Sequence, residues 1–334
     1  MLRSDKGEGA AQQCINSTVQ HTPPREGEAM FTQLEQFVTE AQKIGPKRVA
    51  VASAANDLVL GSIKRAQELG LIEPLLVGRA RDIRQQAEQQ NLTFDDSQII
   101  ATETTSESAA RAVQLVHDGQ ADILMKGHLH TDDFLHAVLS ANVGLRTDRL
   151  LSHVFVMQIP MYHKLLLITD AAINIAPDLL QKAAIIQNAV DMLRYIGIDE
   201  PKVAALSAVE TINPKIPSTV DAACLHKMAE RGQIRNALVD GPMAFDNAIS
   251  SQAAQEKGIK SPVAGDVDIV LAPDLDAGNI LYKNLEYLAN ARVAGIVMGA
   301  RAPIVLTSRS DPPQARVYSL ALANLICTHQ PACI

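Results

Sequence analysis

At 334 residues the chain exceeds what one ordinary hydrophobic core accommodates, so two domains are expected. It is 47% hydrophobic and 20% charged, the balance of a globular protein, and its 3% aromatic content without tryptophan implies a core of Val, Ile, Leu and Ala. The formal net charge of −7 excludes a general nucleic-acid binder, which needs a basic excess to neutralise phosphates.

Residues 1–29 are polar and turn-rich and lack the apolar segment of a signal peptide. They are expected to form a disordered extension ahead of a folded body that begins at Met30. Aliphatic runs at 48–54, 73–78, 98–102 and 121–127 read as strands. An amphipathic stretch at 56–70 lies between the first two and ends in glycine, a normal helix stop. Two further runs, 150–159 and 164–172, are joined by Pro160 to His163 alone. That link is too short for a helical crossover, so an antiparallel hairpin is expected, with a domain boundary near residues 145–150. A helix at 177–197 and strands at 202–209, 267–273, 294–299 and 304–308 complete the pattern. Such βα alternation predicts an α/β fold with mostly parallel sheet and flanking helices. Cys14, Cys224, Cys327 and Cys333 have no CxxC spacing and read as reduced thiols. No apolar run reaches the roughly 18 residues of a membrane span, and a cytoplasmic location is expected.

In an open parallel sheet ligands collect at the carboxyl ends of the strands. The last strand runs into Ser308 and Arg309, a hydroxyl and a guanidinium able to hold a phosphate by forked, charge-assisted hydrogen bonds. Pro312 and Pro313 suit the first turn of the helix that follows, and its N-terminal field favours an anion. The plainer alternative is an arginine tying a loop to backbone carbonyls. After the strand ending at Pro273, Asp276 is a candidate helix N-cap, Gly278 and Asn279 allow close backbone approach, and Lys283 shares the face of Asp276. Lys126 closes an earlier strand, and Thr131 with Asp132 and Asp133 begins a helix beyond a glycine turn. His128 and His130 have metal-pair spacing but no third ligand beside them, and they read as loop residues. The segments 207–218, 241–246 and 261–268 read as loops, the last two as candidate cleft linings. Dinucleotide, P-loop and nucleophile-elbow motifs are absent from the sequence.

Taken together, "MKGHLHTDDFL", "ITDAAINIAPDLLQKAAIIQNAV", "DGPMAFDNAI", "SPVAGDVDIVLAPDLDAGNILYK" and "APIVLTSRSDPP" resemble, in order, the phosphate acetyltransferase and phosphate butyryltransferase family. The resemblance implies reversible transfer of an acyl group, in the acetyl to butyryl range, between coenzyme A and inorganic phosphate. It also implies a two-domain fold related to isocitrate and isopropylmalate dehydrogenases. By that likeness residues 30–148 with 299–334 form domain one, and 149–298 form domain two, through which the chain dimerises. Arg309 is then expected to neutralise phosphate, Ser308 to bond a phosphate or carbonyl oxygen, and Asp311 to act as base. Lys126, Thr131, Gly278, Asn279 and Lys283 are expected to bind phosphate or coenzyme A.

Two positions depart from the acetyltransferase pattern. Ala315 stands where that pattern has an acid, and Ala171 where it has a cysteine; both lean toward the butyryltransferase-like branch. No metal or tightly held cofactor is expected, coenzyme A being a substrate, and no nucleic-acid or membrane partner. Alternatives on the same fold are a metal-dependent 2-hydroxy-acid oxidative decarboxylase and a catalytically idle binder of coenzyme A or acyl phosphate. A third changes the donor to an acyl carrier protein.

Overall fold

The structure is a computed structural model and describes residues 31–308 and 311–329. The extension expected over residues 1–29, and Arg309, lie outside the described residues. The chain runs through α1 (Glu35–Ile44), β1 (Lys47–Ala52), α2 (Asp57–Glu68), β2 (Ile72–Gly78), α3 (Ala80–Gln89), β3 (Ile99–Ala101), α4 (Thr105–His117), β4 (Ile123–Lys126) and α5 (Thr131–Val138). It continues with β5 (Ser152–Gln158), β6 (Leu166–Thr169), α6 (Leu179–Tyr195), β7 (Lys202–Leu206), α7 (Pro217–Glu230) and β8 (Leu238–Met243). Then come α8 (Phe245–Ile249), α9 (Ser251–Glu256), β9 (Ile269–Leu271), α10 (Leu275–Leu288), β10 (Arg292–Met298), β11 (Ile304–Val305) and α11 (Pro313–His329).

Local chemistry starts these helices. The Asn56 side chain accepts from the Val59 N–H at 3.2 Å and caps α2. Reciprocal capping boxes, Thr104 with Glu107 and Asp178 with Gln181, open α4 and α6.

Among the described residues the strands form one sheet in the order β3-β2-β1-β4-β11-β10-β5-β6-β9-β7-β8. Pairing is parallel from β3 across to β11 and again from β6 across to β8. Antiparallel pairing is confined to the middle, at β11–β10, β10–β5 and β5–β6. The expected hairpin is there, with Phe155 opposite Ile168. Helices cover the sheet, which is the α/β architecture that the alternation of elements predicts.

Two expectations need correction. Residues 241–243, read as part of a turn, belong to β8, which pairs in parallel with β7. Pro242 misled because proline cannot donate to a ladder, yet β8 lies at the sheet edge, where that donor is not needed. The last strand is also shorter than the apolar run suggests. Only Ile304 and Val305 are strand, and Leu306 to Ser308 already form the exit loop.

Helix α11 is buried from Ala315 to Ile326. Its polar side chains therefore need internal partners. The Ser319 hydroxyl accepts from the Gly295 N–H at 2.8 Å, and the Asn324 amide donates to the Gly45 and Leu71 carbonyls at 2.9 and 2.8 Å.

Candidate active site

Because β1, β2, β3, β4 and β11 run in one direction, their carboxyl ends share an edge. Lys126 is the last residue of β4 and is 5% exposed. The turn after it is forced by Gly127. A Cβ there would stand 2.4 Å from the carbonyl oxygens of both Ala52 and Ser53. Without a side chain, the Gly127 and His128 N–H groups donate to those carbonyls at 2.8 Å each, which ties the turn to the end of β1. Thr131 follows as the first residue of α5, after an N-cap position held by His130, whose side chain makes no capping bond. Among the described residues no three His, Cys, Asp or Glu side chains come together as metal ligands, His128 and His130 included.

The neighbouring exit, from β11, is held by Asp311. Its side chain accepts the Ser308 N–H on Oδ2 at 2.8 Å and the Tyr282 hydroxyl on Oδ1 at 2.9 Å. Lys283 Nζ lies 3.6 Å from Oδ1. The whole residue is 3% exposed. The carboxylate expected to be a base is thus engaged on both oxygens in closing a turn from Ser308 to itself. Arg316 closes the same turn from the other side, donating from Nη1 to the Asp311 carbonyl and from Nη2 to the Ser308 carbonyl, both at 3.2 Å.

Lys283, expected on substrate, sits among acids and rings. Its ammonium donates to Glu286 at 2.9 Å and to the Tyr282 hydroxyl at 2.7 Å, and it lies 4.3 Å from the centroid of the Tyr282 ring. Burial, followed by the charges of Asp311 and Glu286, pushes the Tyr282 hydroxyl above its usual range, so it stays a donor. The Tyr282 ring stacks on Phe155 with centroids 3.8 Å apart. Next to Phe155 is His153, whose Nε2 donates to the Leu306 carbonyl at 2.9 Å. Burial lowers the His153 pKa, which keeps the imidazole neutral.

Gly278 and Asn279 do not join this group. A Cβ at Gly278 would lie 2.6 Å from the Asp170 carbonyl oxygen, and the Asn279 amide donates to the Ala171 carbonyl at 3.2 Å. Their close approach is to the loop after β6. The α10 N-cap is Asp274, which accepts from the Ala277 N–H at 2.8 Å, and Asp276 lies within the first turn. The structure therefore gathers Ser308, Asp311 and Lys283 into one connected cluster and places Lys126 at the adjoining strand end. It adds Tyr282, Arg316 and His153, which the sequence reading missed. Arg316 was detectable as a lone cation inside "QARVYSLALANLI".

Comparison with known proteins bears on this arrangement. The family model described as phosphate acetyl/butaryl transferase matches residues 100–324. The phosphate acetyltransferase of Rhizobium meliloti is 48% identical over 304 residues, 91% of this chain and 96% of the relative. The chain belongs to the phosphate acetyl/butyryl transferase family. The phosphate butyryltransferase of Clostridium beijerinckii is 42% identical over 297 residues, 89% of this chain and 98% of that protein. A solved branched-chain phosphotransacylase from Enterococcus faecalis V583 superposes with a TM-score of 0.73 at 33% identity, covering 85% of this chain and all of the other. The chain is thus a phosphate acyltransferase. The leaning of Ala171 and Ala315 toward the butyryl branch stands beside an acetyltransferase that is the more similar of these two relatives. In this transferase Ala315 is 2% exposed, a methyl group packed into the core where the resemblance implied an acid. No helix among the described residues is long and apolar enough to cross a membrane.

Proposed function

We propose that the chain moves a short acyl group reversibly between coenzyme A and inorganic phosphate at the edge where β4 and β11 end. The observation that carries this reading is the Ser308–Asp311 turn, held by Tyr282 and Arg316 beside the buried Lys126 of the adjoining strand. In the thiolytic direction the coenzyme A thiolate attacks the carbonyl carbon of an acyl phosphate. The tetrahedral intermediate then expels phosphate, with cleavage of the carbon–oxygen bond. In reverse, a phosphate oxygen attacks the thioester and the thiolate leaves. A thiol with a pKa near 8.5 needs little help to ionise, so the larger demand is alignment of two anions and neutralisation of the phosphate. Arg309 supplies that charge and Ser308 a hydrogen bond, while Asp311 serves by holding the Ser308 N–H. Thr131 and Lys283 flank the substrates.

The same reading keeps two lobes, residues 30–148 with 299–334 and residues 149–298. The change to antiparallel pairing in the middle of the continuous sheet supports a lobe boundary there, in the manner of the isocitrate and isopropylmalate dehydrogenases. Exposed Met161, Ile280, Tyr287 and Leu288 on the second lobe support a homodimer through that lobe. Coenzyme A acts as substrate, no resident cofactor is part of the scheme, and the cytoplasm is its place of action.

A colorimetric assay of thiol release from acetyl-, propionyl- and butyryl-CoA with phosphate tests both activity and chain length. In that assay Arg309→Ala is expected to lower turnover at least about a hundredfold, as for other charge-stabilising donors. Near-normal turnover would remove Arg309 from the mechanism.

A further inference from the structure

Beside the Ser308 turn lies a cavity of about 190 Å³, lined by Asn56, Leu58, Lys126, His128, Thr307 and Arg316 among others. That is well above the roughly 10–15 Å³ needed to admit a single water. Two of its walls are cations at least nine-tenths buried, Lys126 at 5% and Arg316 at 4% exposure. Arg316 spends two donors on the Ser308 and Asp311 carbonyls. Burial is the largest influence on its guanidinium and pulls the pKa down, against the fields of Asp311 and Asp57. A buried charge so placed favours an anionic guest. Thr307, at 6% exposure, lines the cavity and makes no hydrogen bond among the described residues. The first turn of α2, capped by Asn56, borders the same space, and its backbone N–H groups favour negative charge.

We propose that this cavity is the seat of the reacting phosphate, with the Thr307 hydroxyl and the Arg316 guanidinium as its specificity-determining contacts. The inference rests on the acyltransferase reading and deepens it. The guest is a tetrahedral phosphate dianion, and inorganic phosphate is the source assigned here. Arg316 then has two tasks, binding the dianion and holding the carbonyls of the turn that presents Ser308. His128 and Lys126 complete the wall opposite α11.

Two measurements on the full chain test the assignment. They are steady-state thiol release with phosphate and acyl-CoA varied in turn, and calorimetric titration with inorganic phosphate alone. Thr307→Val and Arg316→Lys are each expected to raise KM and Kd for phosphate at least tenfold, with KM for acyl-CoA within twofold. The isosteric Thr307→Val decides the matter alone if Arg316→Lys does not fold. Unchanged phosphate affinity in Thr307→Val would overturn the proposal. So would a rise in KM for acyl-CoA alone, which would give the cavity to a phosphate of coenzyme A. A wild-type chain that binds phosphate in a Thr307-dependent way yet releases no thiol would uphold the cavity and end the acyltransferase reading.

Discussion

Asp311 shows how burial changes the meaning of a residue. On sequence it is the nearest acid to Ser308 and so a natural base. In the structure it is a buried acceptor between the Ser308 N–H and the Tyr282 hydroxyl. A carboxylate that holds a loop affects rate through geometry. Asp311→Asn keeps one acceptor oxygen and is expected to lower kcat while leaving the shape of the pH–rate profile unchanged. Disappearance of the acid limb in that variant would restore the base assignment. Gly278 changed meaning in a similar way. Sequence marks a glycine that permits close approach but cannot say what approaches, and here it is the Asp170 carbonyl.

Among elements, the starts of β6, β7 and β9 are tied by charge. Lys164, 5% exposed, pairs with Asp266 at 3.0 Å and Asp268 at 2.7 Å, and Lys202 pairs with Asp266 at 2.6 Å. Burial alone would raise the Asp266 pKa, but Lys202 and Lys164 outweigh it and hold the carboxyl at about 2, below its usual 3.8. A depressed folded-state pKa means the unfolded chain binds the proton first as pH falls. The stabilisation is therefore complete above about pH 4 and is lost toward pH 2. With Asp266 partly open to solvent, screening reduces it to about 1 kcal/mol. Asp266→Asn is expected to lower the urea midpoint at pH 7, with the difference from wild type shrinking as pH approaches 2. An equal difference at both pH values would deny the linkage. Element identity itself was largely readable, since apolar runs and glycine stops have fixed periods. The exceptions, β8 and the truncated β11, are set by neighbours in the sheet, which a linear pattern does not contain.

For the whole molecule, one hydrophobic cluster runs from Leu34 and Val49 through Ile186 and Val203 to Ile326. Together with the unbroken sheet it couples both halves of the fold. Thermal unfolding is expected as a single transition with calorimetric and van't Hoff enthalpies in agreement. Two resolved transitions would show that the halves unfold separately. By itself the sequence determined the α/β class, the hairpin and the acyltransferase family, because composition, periodicity and ordered motifs are properties of a linear string. It also marked Lys126 as a strand-end residue, and placed Ser308 on a strand that in fact ends at Val305. Only the tertiary structure decided which marked residues meet and gave Arg316 and Tyr282 their roles. It also turned Gly278 and Asn279 toward the loop after β6. Those outcomes depend on strand order and burial, which bring together side chains from distant segments and remove them from water.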